Sequence, residues 1–102
     1  MDMKQMMKQA QRMQLELNRA QEEIKTMTYE ASSGGGMVKV TARGDNTLVD
    51  VSIDASVVDP EDVEMLQDLV LAAANEALAG VNELSQARIN SVTGGMKGMP
   101  GF

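Results

Sequence analysis

The sequence predicts an α+β fold: a long N-terminal helix, a small antiparallel sheet of three strands, and a C-terminal helix, assembled as a dimer. Three observations carry this. Apolar residues recur at a strict helical spacing through the first 27 residues, the pattern turns to alternation between about 28 and 54, and a capped, alanine-rich stretch runs from about 60 to 92. A chain of 102 residues suffices for one small domain and not for two. That domain is expected over 1–92, with 93–102 as a flexible glycine-rich tail.

The first helix, about 1–27, is rich in Gln, Lys, Arg, Glu, Met, Leu and Ala and has neither Gly nor Pro. Its apolar seam is Met3, Met6, Ala10, Met13, Leu17, Ala20, Ile24 and Met27, with steps that alternate between 3 and 4. A sustained 3.5 period implies a left-handed supercoil against another helix. At 1.5 Å per residue the segment is about 40 Å long, whereas a compact domain of this size has a radius of gyration near 13 Å. The helix must overhang, and its seam needs a partner.

The sheet follows. Met27, Tyr29 and Ala31 alternate with Thr28, Glu30 and Ser32 as a first strand, and Ser32-Ser33-Gly34-Gly35-Gly36 reads as a turn. Those glycines lack the Lys-Ser/Thr and the helix that a phosphate loop requires. Residues 37–43 are rich in strand formers, Gly44-Asp45-Asn46 is a turn signal, and 47–54 alternates cleanly. A meander with one covered face is expected.

The second helix has an explicit start. Asp59 reads as N-cap, Pro60 as the first helical residue, and Glu61 and Asp62 place negative charge in the first turn. Val63, Leu66, Leu69, Val70, Ala73, Ala74, Ala77, Leu78, Val81 and Leu84 cover more than a third of its circumference. One sheet covers a stripe of about 100°, so the wider face implies a second contact. Leu66, Val70, Ala73 and Ala77, with Met6, Ala10, Met13, Leu17, Ala20 and Ile24 of the first helix, are the expected seam and dimer residues.

Composition excludes much chemistry. Without cysteine there is no disulfide or thiolate metal site, and without histidine the commonest base near neutral pH is missing. The cluster Asp59, Glu61, Asp62, Glu64 and Asp68 lacks calcium-loop spacing and reads as capping and solubility. No metal, cofactor or catalytic residue is expected. The longest apolar run, 69–74, is far short of the roughly 20 residues that span a bilayer, and no signal-peptide pattern follows Lys4 and Lys8. A membrane-surface helix is disfavoured because Trp and Phe are missing from the first helix. A cytoplasmic, non-enzymatic protein is expected.

The net charge of −6 is uneven. Residues 1–30 carry five basic and five acidic side chains, and 31–102 carry four against ten. On the first helix Lys4, Lys8, Arg12 and Arg19 fall at heptad positions b, f, c and c, within an arc of about 80° at 100° per residue, facing away from the seam. The ridge is roughly 22 Å long and fits several phosphates, while the acidic body repels DNA and confines contact to the arms. Gln5, Gln9 and Gln11 add neutral donors. Arg88 and Lys97 are weaker candidates, and Arg88 also suits the helix C-terminus. With no recognition helix of a known type, low sequence specificity is expected.

Residues 51–77, from Val51-Ser52-Ile53-Asp54 through Asp59-Pro60-Glu61-Asp62 to Ala72-Ala73-Ala74-Asn75-Glu76-Ala77, resemble the central signature of the YbaB/EbfC family of bacterial nucleoid-associated proteins. The glycine turn ahead of Met37-Val38-Lys39-Val40-Thr41 and the tail Thr93-Gly94-Gly95-Met96 with Pro100-Gly101 are similar to that family's too. The resemblance spans essentially the whole chain. It implies a homodimer with helices projecting like tweezers from a central sheet, duplex DNA as partner, association with the nucleoid, and an effect on chromosome organisation or gene expression. A rival reading keeps the arms but has them dock a protein of DNA replication, recombination or repair. The two differ in salt response, because phosphate contacts release counterions.

Overall fold

A computed structural model describes residues 2–94. The order is helix α1 (Met3–Thr26), strands β1 (Thr28–Ser33), β2 (Val38–Arg43) and β3 (Leu48–Ile53), a 3-10 turn (Ala55–Val57), and helix α2 (Val63–Thr93). The strands form one antiparallel sheet in the order β1-β2-β3. The helix–sheet–helix architecture is therefore the one expected from the sequence.

Helix α1 starts where Asp2 accepts a hydrogen bond from the Gln5 backbone N–H at 2.8 Å, satisfying one of the free donors of the first turn. It ends as Met27 goes extended and the chain enters β1 directly. Gly34, Gly35 and Gly36 all have positive φ in the β1–β2 turn, backbone that glycine adopts without a Cβ penalty.

Helix α2 begins three residues later than the sequence suggested. Asp59 does not cap it: its carboxylate accepts from the Glu61 N–H, closing a local turn around Pro60. Asp62 reaches the Met65 N–H at 3.2 Å and is the N-cap. Two aspartates three positions apart offer the same capping chemistry, and the path of the chain away from β3 selects the second. At its other end α2 includes Thr93, with Gly94 as C-cap. The remainder of the expected tail lies outside the described residues.

The core lies between α2 and the first two strands. Ala31 of β1 and Val38, Val40 and Ala42 of β2 are buried against Ala73, Ala77 and Val81 of α2, with Leu66, Leu69, Val70 and Leu78 around them. The Ser33 hydroxyl donates to the Leu69 carbonyl at 2.6 Å, tying the β1 end to α2. At Gly80 the helix meets Tyr29 so closely that a Cβ would enter the ring. Gly80→Ala is expected to destabilise the protein by about 1–3 kcal/mol, read as a lower midpoint in thermal unfolding; an unchanged midpoint would show that the ring moves freely.

Strand β3 departs from the expectation of a covered face. Val40 pairs with Val51 and Val38 with Ile53, so these β3 side chains share the face that is buried on β2. Yet every residue of β3 is exposed, because α2 packs over β1 and β2. A register shift where Thr41 pairs with Asp50 and Ala42 with Leu48 leaves Val49 as the extra residue of a bulge. The molecule measures 71 × 22 × 16 Å with a radius of gyration of 20.0 Å, well beyond the ~13 Å of a compact chain this long.

Candidate nucleic-acid interface

That elongation comes from the two helices together, α2 with 31 residues and α1 with 24. Helix α2 meets Tyr29 at Gly80 and Glu23 at Arg88, so it runs antiparallel to α1 along the C-terminal half of that helix. Continuing at 1.5 Å per residue, Gly94 reaches about the level of Leu17. The rest of α1, roughly 20 Å of helix, projects beyond it.

The seam follows this geometry. Ala20 is fully buried, and Met13, Leu17, Ile24 and Met27 are half-buried. Met3, Met6 and Ala10 are exposed, Met3 at 77% and Met6 at 57%. On α2, Ala73 and Ala77 are buried in the core, whereas Leu66 and Val70 are half-buried and border an open groove with Ile53, Leu71 and Ala74.

Lys4, Lys8, Arg12 and Arg19 are all exposed on α1. Gln5, Lys8, Gln9 and Arg12 line a shallow concavity on the projecting part. Among the described residues none of the four cations takes part in a salt bridge. Among the acids of α1, Glu16 is exposed between Arg12 and Arg19, Glu22 is bonded to Lys25 at 3.0 Å and Glu23 to Arg88. Between Asp2, whose carboxylate is held by the cap, and Glu16, the charged side chains of the helix are Lys4, Lys8 and Arg12, all positive.

Arg88 sits differently from the other candidates. Its Nε donates to Glu23 Oε2 at 2.7 Å, its Nη2 to Glu23 Oε1 at 3.3 Å, and its Nη1 to the Ser91 hydroxyl at 2.9 Å. This fork-to-fork pair joins the two helices at the root of the arm. Lys97 lies outside the described residues. Sequence reasoning missed Glu23 as the partner of Arg88, and also the contact at Gly80, although a glycine inside an otherwise good helix is a known sign of close approach.

The hydrogen bonds and charge of Arg88 hold the Glu23 carboxyl below its ordinary pKa and raise that of Arg88. A depressed carboxyl stabilises above its unfolded pKa, and the effect is lost as pH falls through the folded value. The tie between the helices is therefore intact at neutral pH and released in acid. A carboxyl NMR titration should put the Glu23 midpoint below the ordinary glutamate range, and Arg88→Gln should return it to that range. An unmoved midpoint in Arg88→Gln would rule the ion pair out in solution.

Among the described residues no three His, Cys, Asp or Glu side chains converge as a metal site, and no helix is long and apolar enough to cross a membrane. The candidate surface is a charged helix rather than a pocket.

The chain is 53% identical over 97 residues to a nucleoid-associated protein of Acetivibrio thermocellus, covering 95% of this chain and 86% of the relative. It is 54% identical over 101 residues to a nucleoid-associated protein of Moorella thermoacetica, covering 99% and 96%. A crystal structure of an uncharacterised protein from Helicobacter pylori matches with a TM-score of 0.66 at 33% identity, over 85% of this chain and 91% of that one. Residues 1–96 match one family over nearly the full chain, and with a projecting cationic helix on a helix–sheet–helix scaffold, this protein belongs to the YbaB/EbfC DNA-binding family.

Proposed function

We propose that the protein is a non-enzymatic, nucleoid-associated homodimer in the cytoplasm. It binds duplex DNA with low sequence specificity through the basic faces of its projecting α1 arms, and thereby affects chromosome organisation or gene expression. One observation carries the reading: Lys4, Lys8 and Arg12 run along an arm that stands clear of the acidic body, with Arg19 exposed at its base, and the four have no salt-bridge partner among the described residues. Such a ridge attracts phosphates and reads no base edges, so it discriminates weakly between sequences. Arg88, engaged with Glu23, holds the angle of the arm. Family membership and nucleoid-associated relatives support the same reading.

The dimer is argued from the uncovered half of the core. Val51 and Ile53 of the edge strand β3 are 47% and 39% exposed, beside the groove bordered by Leu66 and Val70. A two-fold partner, β3 beside β3, covers both groups and pairs the free strand edge. Each dimer then carries two arms.

Fluorescence anisotropy with unrelated duplexes at two salt concentrations tests the proposal. Near-equal affinities that fall steeply with salt are expected. A second reading, docking of a replication or repair protein, draws on the exposed methionines at the arm tip; it becomes the better one if no duplex binds at low salt.

A further inference from the structure

We infer that the tip of α1 is a second self-association surface, on which the seam of Met3, Met6, Ala10 and Met13 pairs antiparallel with the same seam of another dimer when DNA holds arms side by side. The inference rests on DNA binding by the arms and adds what happens between neighbours on one duplex.

Four features carry it. First, α2 reaches only to about the level of Leu17; Met13 is half-buried, while Met3, Met6 and the flanking Met7 stay 77%, 57% and 58% exposed. Second, the 3.5-residue period continues unbroken into this uncovered part, and that period suits a supercoiled helix partner, whereas a flat surface would be met by a 3.6 period.

Third, the flanks are compatible with a copy of themselves. Antiparallel pairing centred at Lys8 sets Met6 against Ala10 and Met3 against Met13; the e and g positions inside that segment hold Met7 and Gln9, with Gln14 next, all uncharged, and the acids Asp2 and Glu16 occupy the g positions just outside its two ends. The cations at b, f and c stay on the outer faces, free for phosphate, so like charges are not driven together. Antiparallel helix dipoles add to the preference.

Fourth, the size is right for a conditional contact. From Met3 to Met13 the helix is about 15 Å long, and a pair of such segments falls well short of the roughly 1,200 Å² that a stable interface buries. Free dimers at micromolar concentration remain separate. Arms bound to one duplex meet at an effective concentration in the millimolar range, where a weak contact forms. The consequence is cooperative binding along DNA and bridging of duplex segments.

The chain has no cysteine, so single-cysteine variants report only where they are placed. Met6→Cys and Ala10→Cys are prepared as separate dimers, differently tagged, mixed on a long duplex and oxidised briefly; a disulfide needs Cβ atoms within about 4.5 Å. The mixed 6–10 link is expected at least tenfold above that of a control pair, Gln11→Cys with Ala10→Cys. Met6→Gln should bind a duplex long enough for one dimer within twofold of wild type and lose cooperativity on long DNA. Absence of the 6–10 excess overturns the inference. So does an equal loss of affinity on short and long duplexes, which would mean that Met6 touches DNA. Should wild type bind no duplex, the reading of function fails separately, and the same cross-link at millimolar protein without DNA decides the seam: present, it stands; absent, it falls.

Discussion

Replacing Lys4, Lys8 and Arg12 together with Gln is expected to reduce affinity for every duplex sequence alike, on the order of a thousandfold near 0.15 M salt. Three contacts per arm and six per dimer, at about 0.9 each, flatten the log–log salt slope by roughly five units. The fold should not notice. All three residues are exposed, surface changes stay within about 0.5 kcal/mol each, and Gln keeps the helix propensity. Helix content by circular dichroism and dimer mass by sedimentation are therefore the controls. A triple variant that binds like wild type at low and moderate salt would remove the α1 arm as the interface and turn attention to Arg88, at the end of α2, and to Lys97. A sequence-dependent loss would mean that these side chains reach base edges.

The second large effect is expected at the other end of the molecule. Val51→Asp or Val70→Asp should convert the dimer to monomer, because an unpaired carboxylate buried at a two-fold interface costs about 3–5 kcal/mol per copy. In a single protomer Val51 is exposed and Val70 half-buried. For Val51→Asp in particular the penalty falls on association and not on folding. Sedimentation at micromolar concentration should show half the mass with helix content retained. DNA affinity should drop as well, since two arms linked through one body bind by avidity and a single arm does not. A wild-type protein that already sediments as a monomer at that concentration would overturn the assembly, and a variant that stays dimeric would move the interface away from β3.

Much of this could be read along the chain. The Met–Ala–Leu seam, the glycine turn, the β-rich segments and the Asp-Pro start of α2 each have a local physical cause, and each appears as an element within a few residues of its expected place. The error at the start of α2 has the same origin: Asp59 and Asp62 are both good caps, and a local rule cannot choose between them. The basic ridge was legible because charge spacing on a helix depends only on the helical pitch.

Other features had no local signal. The seam reads identically from Met3 to Met27, yet only its C-terminal part is covered, because coverage depends on where α2 ends. Val51 and Ile53 alternate with polar residues as a half-buried strand should, and stay exposed because α2 lies over β1 and β2. Arg88 looked like a free cation near a helix end, and its partner Glu23 is 65 residues away in sequence.

By itself the sequence determined the elements, their order, the polarity of each face and the ridge of cations on α1, since all of these follow from backbone propensity and side-chain periodicity. The tertiary structure decided which apolar faces are covered, how far α1 projects, and that Arg88 ties the arm to α2. The physical reason is that periodicity states that a face is apolar or charged, while burial and pairing are properties of two elements together and exist only once they are packed.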